Sequence, residues 1–380
     1  MFNYISRYLE KGIKEDLTQK MVFVAGPRQC GKTTLAKEIL EEKMGTRAAD
    51  FYLTWDAAED REKIIRERFP VGKGLLVLDE IHKFSRWRQV VKGLFDKRGH
   101  ELKILVTGSG RLDYYRYGGD SLQGRYHLYR LYPFSFAEVK DVRSTVLEDL
   151  FHYSGFPEPF LVRDERVHRR WRREYRTRLI YEDLNSLEYV KDIALLEQLA
   201  LRLPDLVGSP LSLNALREDL QVSHETIARW LEMFERIFLC FRIYPFGPPK
   251  IRAVKKASKL YLYDWTLIDD PGARFENLVA FHLLKWVHFQ QDYHGLDLEL
   301  RFFRDVHRNE VDFVVLENRT VKRLIECKLR SREVSPALKM LKRRFPEAEA
   351  IQISLAEQEE FVDKNGIRVT TAERFLGELI

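Results

Sequence analysis

The chain has few cysteines, no long apolar run and no repeat, and each absence narrows what it can be. No hydrophobic stretch in the 380 residues approaches the length of a membrane span. Met1-Phe-Asn-Tyr-Ile-Ser-Arg7 lacks the basic-then-apolar pattern of a secretory signal. The three cysteines, Cys30, Cys240 and Cys327, are odd in number and have no CxxC spacing, which excludes a disulfide framework and predicts a reduced cytoplasm. Ten histidines include no HExxH, and the even spacing of His282, His288 and His294 reads as coincidence rather than zinc ligation. Without low-complexity tracts, a chain of this length is expected to fold as two or three globular domains. Its net charge of +6 permits a polyanionic partner.

What is present is concentrated first in residues 22–35. Val22-Phe-Val-Ala25 runs into Gly26-Pro27-Arg28-Gln29-Cys30-Gly31-Lys32-Thr33-Thr34. Apolar Leu35, Ile39, Leu40 and Met44 then recur at helical spacing until Gly45. Strand, glycine loop and helix make the setting that a phosphate-binding loop requires. Gly26 and Gly31 let backbone N–H groups turn towards a polyphosphate, and the helix start adds partial positive charge. Lys32 is placed to reach the β and γ phosphates, and Thr33 to offer its hydroxyl to Mg²⁺. The chain is expected to bind a nucleoside triphosphate.

Gly74-Leu-Leu-Val-Leu-Asp79-Glu80 ends an apolar strand in two carboxylates, and a parallel sheet gathers ligands at such ends. Asp79 is expected to hold the Mg²⁺ shell and Glu80 to orient or deprotonate water. Residues 102–109 form another buried strand, and either Thr107 or Ser109 at its end suits γ-phosphate sensing. Arg125 stands just before a fifth strand, a place for an arginine finger towards a nucleotide in the same chain or a neighbouring one.

These residues resemble the AAA-type ATPase domain of a large prokaryotic family that ends in the domain of unknown function 4143. The likeness rests on Gly26 to Thr34, Leu78-Asp-Glu-Ile-His-Lys83 with Trp87, Thr107-Gly-Ser109, and Ser121-Leu-Gln-Gly-Arg125 followed by Leu131-Tyr-Pro-Phe-Ser-Phe-Ala-Glu138. It implies ATP and Mg²⁺, with Lys32, Thr33, Asp79 and Glu80 in the roles given and Arg125 at the finger position. Gly110 departs from the family pattern, where a further serine is frequent, and leaves Thr107 and Ser109 both open as sensor.

Beyond the turn-rich stretch 154–160, residues 163–178 carry eight arginines against three acids, with Val167, Trp171 and Tyr175 on one seam. Such a helix either tracks phosphates, with an aromatic free to stack on a base, or is a lid with a solvated arginine face, and the second is preferred. Residues 212–220 and 223–238 predict two helices around a tight turn, followed by β-like runs at 239–246 and 259–263. The loop between those runs, residues 247–259, holds five basic residues and no acid. This is a winged helix-turn-helix pattern, suited equally to a nucleic-acid backbone or to a protein.

In the last stretch, Glu276 lies near the start of an amphipathic helix at 274–286. Residues 310–316 and 321–329 flank a turn at 317–320. A hairpin centred near Arg319 sets Asp312 and Glu326 opposite each other, with Lys328 on the same face as Glu326. Facing carboxylates call for a cation, and Mg²⁺ there would activate water beside a scissile phosphate that Lys328 helps to neutralise. Cys327 is expected on the opposite face as a core thiol. The series Glu276, Asp312, Glu326-x-Lys328 resembles the PD-(D/E)xK nucleases, although Val311 replaces their proline. That resemblance implies metal binding by Asp312 and Glu326, with Mn²⁺ an alternative ion, a role for Lys328, and support from Glu276.

The expected fold class is therefore α/β. It comprises a P-loop AAA-type ATPase core at 1–153, a helical lid or linker at 154–198, a winged helix-turn-helix at 199–270 and a restriction-endonuclease-like α/β domain at 271–380. The expected function is a cytoplasmic Mg²⁺-dependent ATPase coupled to a metal-dependent nuclease on DNA or RNA, without membrane contact. The alternative is an ATP-driven switch or adaptor with an inactive nuclease-like domain. A finger acting between chains would require a homo-oligomer.

Overall fold

Strands buried on both faces dictate the N-terminal layer. The protein is described from a computed structural model covering residues 4–109, 112, 122–184, 192–247, 258–305, 307–330, 333–356 and 360–380. It divides into two units, Met1–Pro133 and Phe134–Ile380. In the first unit β1 (Met21–Ala25), β2 (Tyr52–Thr54), β3 (Gly74–Asp79), β4 (Leu102–Gly108) and β5 (Tyr126–Arg130) form one sheet in the order β2-β3-β4-β1-β5. All its pairings are parallel. Every residue of β1, and all but the first of β3, is buried, as a sheet covered by helices on both faces requires. Because β3 and β4 lie between β1 and β2, Val24, Thr107, Asp79 and Thr54 fall on one row at the carboxyl end of the sheet. The glycine loop follows β1 at that same end, and the helix Lys32–Met44 begins directly after it.

The second unit is built on an eight-stranded sheet in the order β12-β13-β11-β10-β9-β8-β6-β7. Its strands are β6 (Cys240–Pro245), β7 (Lys259–Leu262), β8 (Leu298–Arg304), β9 (Glu310–Glu317), β10 (Thr320–Lys328), β11 (Glu349–Ser354), β12 (Phe361–Val362) and β13 (Ile367–Thr371). The helix Leu213–Leu220 is capped by Ser212 and stops at Gln221, whose φ is 54°. The helix His224–Arg236 follows under a Ser223 cap. The two strands after that helix pair, expected as a separate wing, join the common sheet: Tyr244 and Pro245 of β6 pair in parallel with Arg301 and Phe302 of β8. One sheet therefore runs across residue 270. The basic loop expected between β6 and β7 lies largely at residues 248–257, outside the described residues, as do Gly110 and Ser121.

Asp270-Pro271-Gly272, which suggests a break in the sequence, begins a helix instead. Asp270 accepts the Ala273 N–H at 2.7 Å, Pro271 takes the first turn, and Pro271–His294 runs for 24 residues until Gly295 adopts a left-handed φ of 69°. No helix among the described residues is long and apolar enough to cross a membrane. In the basic helix Glu165–Arg178 the aromatics turn inward: Trp171 and Tyr175 are buried, and Trp171 packs on Phe156 with ring centroids 5.0 Å apart. The option that either ring stacks on a base is thereby corrected. Burial of the apolar seam takes precedence, and the arginines form the solvated face.

Candidate functional site

The phosphate loop is held from several directions. A Cβ on Gly26 would stand 2.0 Å from the Leu131 carbonyl, so only glycine lets the loop pass β5. Gln29 and Gly31 both have positive φ, which curls the backbone into a cradle. The Cys30 thiol donates to the Leu131 carbonyl at 3.3 Å. Buried Arg7, a residue the motif does not contain, donates to the Cys30 carbonyl at 2.8 Å and to the Tyr132 carbonyl at 2.5 Å. The buried Lys32 ammonium donates to the Gly26 and Pro27 carbonyls at 3.0 and 2.6 Å. A buried cation at a helix start, after a loop curled at Gln29 and Gly31, makes a setting that fits a nucleotide polyphosphate.

Asp79 is the hub of the polar end of the sheet. Its Oδ2 accepts Thr33 Oγ1 at 3.0 Å and the Tyr52 hydroxyl at 2.6 Å, and its Oδ1 accepts the Thr107 hydroxyl. Thr33 and Asp79, adjacent as the sequence predicts, present an oxygen pair that suits Mg²⁺. Thr107 is committed to Asp79, whereas Ser109 Oγ lies 3.3 Å from His82 Nε2, and His82 stands 3.6 Å from Glu80. Glu80 sits in the left-handed region at φ 56°. Burial raises its carboxyl above the ordinary range, against the pull of Lys32 and Lys83. Tyr52 carries no motif signal of its own, and His82, although inside the Leu78–Lys83 motif, is given no role by it. Thr34 and Arg28 complete the loop sequence, Thr34 on the exposed side of the helix start.

Arg125 lies elsewhere. Its carbonyl accepts the Met21 N–H at 3.0 Å, which places it at the amino end of β1, five residues from Gly26 and about 17 Å from the loop at strand rise. Its guanidinium holds Asp96 at 2.8 Å. The same-chain finger is corrected by this register, because parallel strands put the residue before β5 at the opposite edge from the nucleotide loop.

In the second unit β9 and β10 turn at Asn318 and Arg319, both with positive φ, the two-residue geometry that suits a twisted hairpin. Thr320 pairs with Glu317, but a bulge between Val321 and Arg323 shifts the register, so that the ladder ends with Ile325 on Phe313, and Glu326 and Asp312 are the next residues beyond that pair on the two strands. Asp312 Oδ2 accepts the Cys327 N–H at 2.8 Å, and Glu326 Oε1 accepts the Lys328 ammonium at 2.7 Å. Glu326 Oε2 is buried with no hydrogen-bond partner. Burial, with Glu276 and Glu326 nearby, drives the Asp312 carboxyl well above its usual range. Burial also raises Glu326, against the pull of Lys328. Glu276, Asp312, Cys327 and Lys328 line a cavity of about 600 Å³. Two neighbouring acids and one orphaned oxygen are donors of the kind a hard divalent ion takes when it keeps several waters, while among the described residues no group of three or more acidic, histidine or cysteine side chains is placed to hold a metal ion.

One further cation enters this cluster. Lys259, counted from sequence among the basic loop residues, is fully buried at the start of β7. Its ammonium reaches Glu276 at 3.0 Å, contacts Glu310, lies 3.9 Å from Asp312, and sits over the Phe302 ring. Burial alone would lower its pKa, but Glu276, Asp312 and Glu310 outweigh that and hold it charged.

Comparison with known proteins follows the same division. Residues 18–140 match an AAA domain, 144–269 a domain of unknown function (DUF8612) and 271–375 a domain of unknown function (DUF4143). An uncharacterized protein of Mycobacterium tuberculosis is 25% identical over 250 residues, 65% of this chain and 55% of that one. An uncharacterized protein of Methanocaldococcus jannaschii is 24% identical over 402 residues, 89% of this chain and 80% of that one. The chain thus spans about half the length of the mycobacterial relative it matches. Among solved structures, a signal-transduction ATPase with numerous domains and a tetratricopeptide-repeat sensor from Pyrococcus horikoshii is 13% identical. It covers 78% of this chain and 48% of its own, with a TM-score of 0.25. The chain thus carries an AAA domain in its N-terminal part and the domain of unknown function 4143 in its C-terminal part, the architecture expected from the sequence.

Proposed function

We propose that the protein hydrolyses ATP with Mg²⁺ and couples that cycle to a metal-dependent nuclease site in its second unit. The observation that carries the ATPase part is the convergence of Thr33, Tyr52 and Thr107 on Asp79, beside a buried Glu80. Bound Mg²⁺ supplies charge neutralisation to the transferred phosphoryl group. The chain's residues do the rest. Lys32 leaves the Gly26 and Pro27 carbonyls for the phosphates, Asp79 is held rigid by three hydroxyls, and Glu80 accepts a proton from water. Ser109 and His82 form a polar link from the nucleotide end of β4 to Glu80. Arg125 serves a nucleotide only in a neighbouring copy, so this role belongs to an oligomer.

The nuclease part is supported by Asp312 and Lys328, which line the 600 Å³ cavity, and by the buried Glu326, whose Oε1 accepts from Lys328. Asp312 and Glu326 hold the divalent ion, Mg²⁺ or Mn²⁺, which supplies an activated water, while Lys328 neutralises charge on a phosphodiester of DNA or RNA. A cleavage assay on single- and double-stranded DNA and RNA, with either metal and with or without ATP, tests this reading. Cutting that is lost in Lys328→Ala supports it. ATP hydrolysis without cutting under any condition favours the second reading, a switch or adaptor that binds without cleaving. The specific observation on that side is Lys259, which balances the carboxylates without any metal.

A further inference from the structure

We propose that the Lys259 ammonium stands where a second divalent ion would sit, so the C-terminal site takes one metal ion rather than two. The inference rests on the metal-site reading above. Phosphodiester chemistry on carboxylate clusters often uses a pair of cations about 4 Å apart, one on each side of a shared aspartate. Asp312 has such a shared position. Its Oδ2 faces β10, where the Cys327 N–H meets it. Its Oδ1 faces Lys259 at 3.9 Å. On that second side the other carboxylates are Glu276 and Glu310, and both already touch Lys259. Glu276 Oε1 also accepts the Tyr261 hydroxyl at 2.7 Å, which leaves that oxygen little capacity for a metal.

The ammonium is built in rather than passing through. Lys259 pairs along β7 with Ile243 of β6 and bridges to Pro210, and its side chain is closed from solvent against Phe302. It therefore cannot bind substrate. Its function is to set the charge. Glu276, Glu310, Asp312 and Glu326 are in direct contact with three cations: Lys259, Lys328 and Arg304, the last 3.1 Å from Glu310. With all four carboxylates ionised, as a bound cation would require, one net negative charge remains. A single divalent ion reverses it to one positive charge, matched to one phosphodiester, whereas a second ion would meet no uncommitted carboxylate and a net repulsion.

The test is a count of bound Mn²⁺ by electron paramagnetic resonance on the nucleotide-free full chain, with Asp312→Asn subtracted to isolate ions at this site. One Asp312-dependent ion in wild type and two in Lys259→Gln is the expected result, with Lys259→Arg staying at one. Two ions in wild type, or one in a folded Lys259→Gln, overturns the inference and leaves the metal-site reading standing. No Asp312-dependent ion in wild type removes both. Should Lys259→Gln fail to fold, the charge-matched pair Lys259→Gln with Glu276→Gln is counted instead, with two ions expected and one overturning the proposal. The wild-type count holds as a test in either case.

Discussion

The Tyr52 hydroxyl donates to Asp79 Oδ2 at 2.6 Å, across the pairing of β2 with β3. Burial and Asp79 itself raise the Tyr52 pKa, so the phenol stays a donor at any working pH. A hydrogen bond to a charged group contributes about 1.5–3 kcal/mol. Tyr52→Phe should raise the Mg²⁺ concentration for half-maximal ATPase activity by roughly tenfold, with ATP binding little changed. A magnesium titration of steady-state hydrolysis reads this directly, and an unchanged midpoint would leave Tyr52 with a packing role only.

Glu80 makes a prediction about pH. Its raised pKa means the carboxylate form needed to accept a proton is lost at a higher pH than for an ordinary glutamate. The acid limb of kcat/KM for ATP should therefore lie above the usual carboxylate range. It should move further up in Lys83→Ala, which removes a cation 3.5 Å away. Glu80→Gln should lower kcat by about 10²–10⁴ while a fluorescent ATP analogue still binds.

Arg125 should be silent in the isolated chain. Arg125→Ala is expected to leave the ATPase rate unchanged at dilutions where sedimentation shows a monomer. If ATP drives self-association, the variant should lose rate only under associating conditions. A rate loss in the monomer would contradict the register that puts Arg125 at the far edge of the sheet.

His282 ties acid stability to the second unit. Its Nε2 accepts the Phe136 N–H at 2.9 Å and its other nitrogen meets the Leu278 carbonyl, while burial lowers its pKa to about 4. The unfolded chain takes up a proton near pH 6.5, and the folded one does not until about 4. Stability from this group is present above 6.5 and falls as pH drops towards 4, by about 3 kcal/mol in all. Urea midpoints measured from pH 7.5 to 5 should fall less steeply in His282→Asn than in wild type.

The phosphate loop and Asp79-Glu80 are legible in sequence because strand, loop and helix are local and the apolar periods announce them. That Asp312 and Glu326 come together is also legible, but the hairpin reaches it by another route. The turn is tighter than a count centred on Arg319 requires, and the bulge between Val321 and Arg323 restores the register. Tyr52, Arg7 and Lys259 carry no such local mark. Each meets its partner across a sheet or from a distant segment, and a lysine after a run of basic residues looks solvated until β7 buries it. Asp270-Pro271-Gly272 misleads for the opposite reason, since residues that punctuate a loop also start a helix.

Lys259 also bears on how the second unit comes to exist at all. Where only a metal balances clustered carboxylates, folding waits on metal supply and chelation unravels the domain. Here most of the compensating charge is part of the polypeptide, delivered on a strand that pairs into the same sheet. On the metal-site reading proposed above, the domain is expected to fold without the ion, whose arrival would then change what the site does rather than whether it is there.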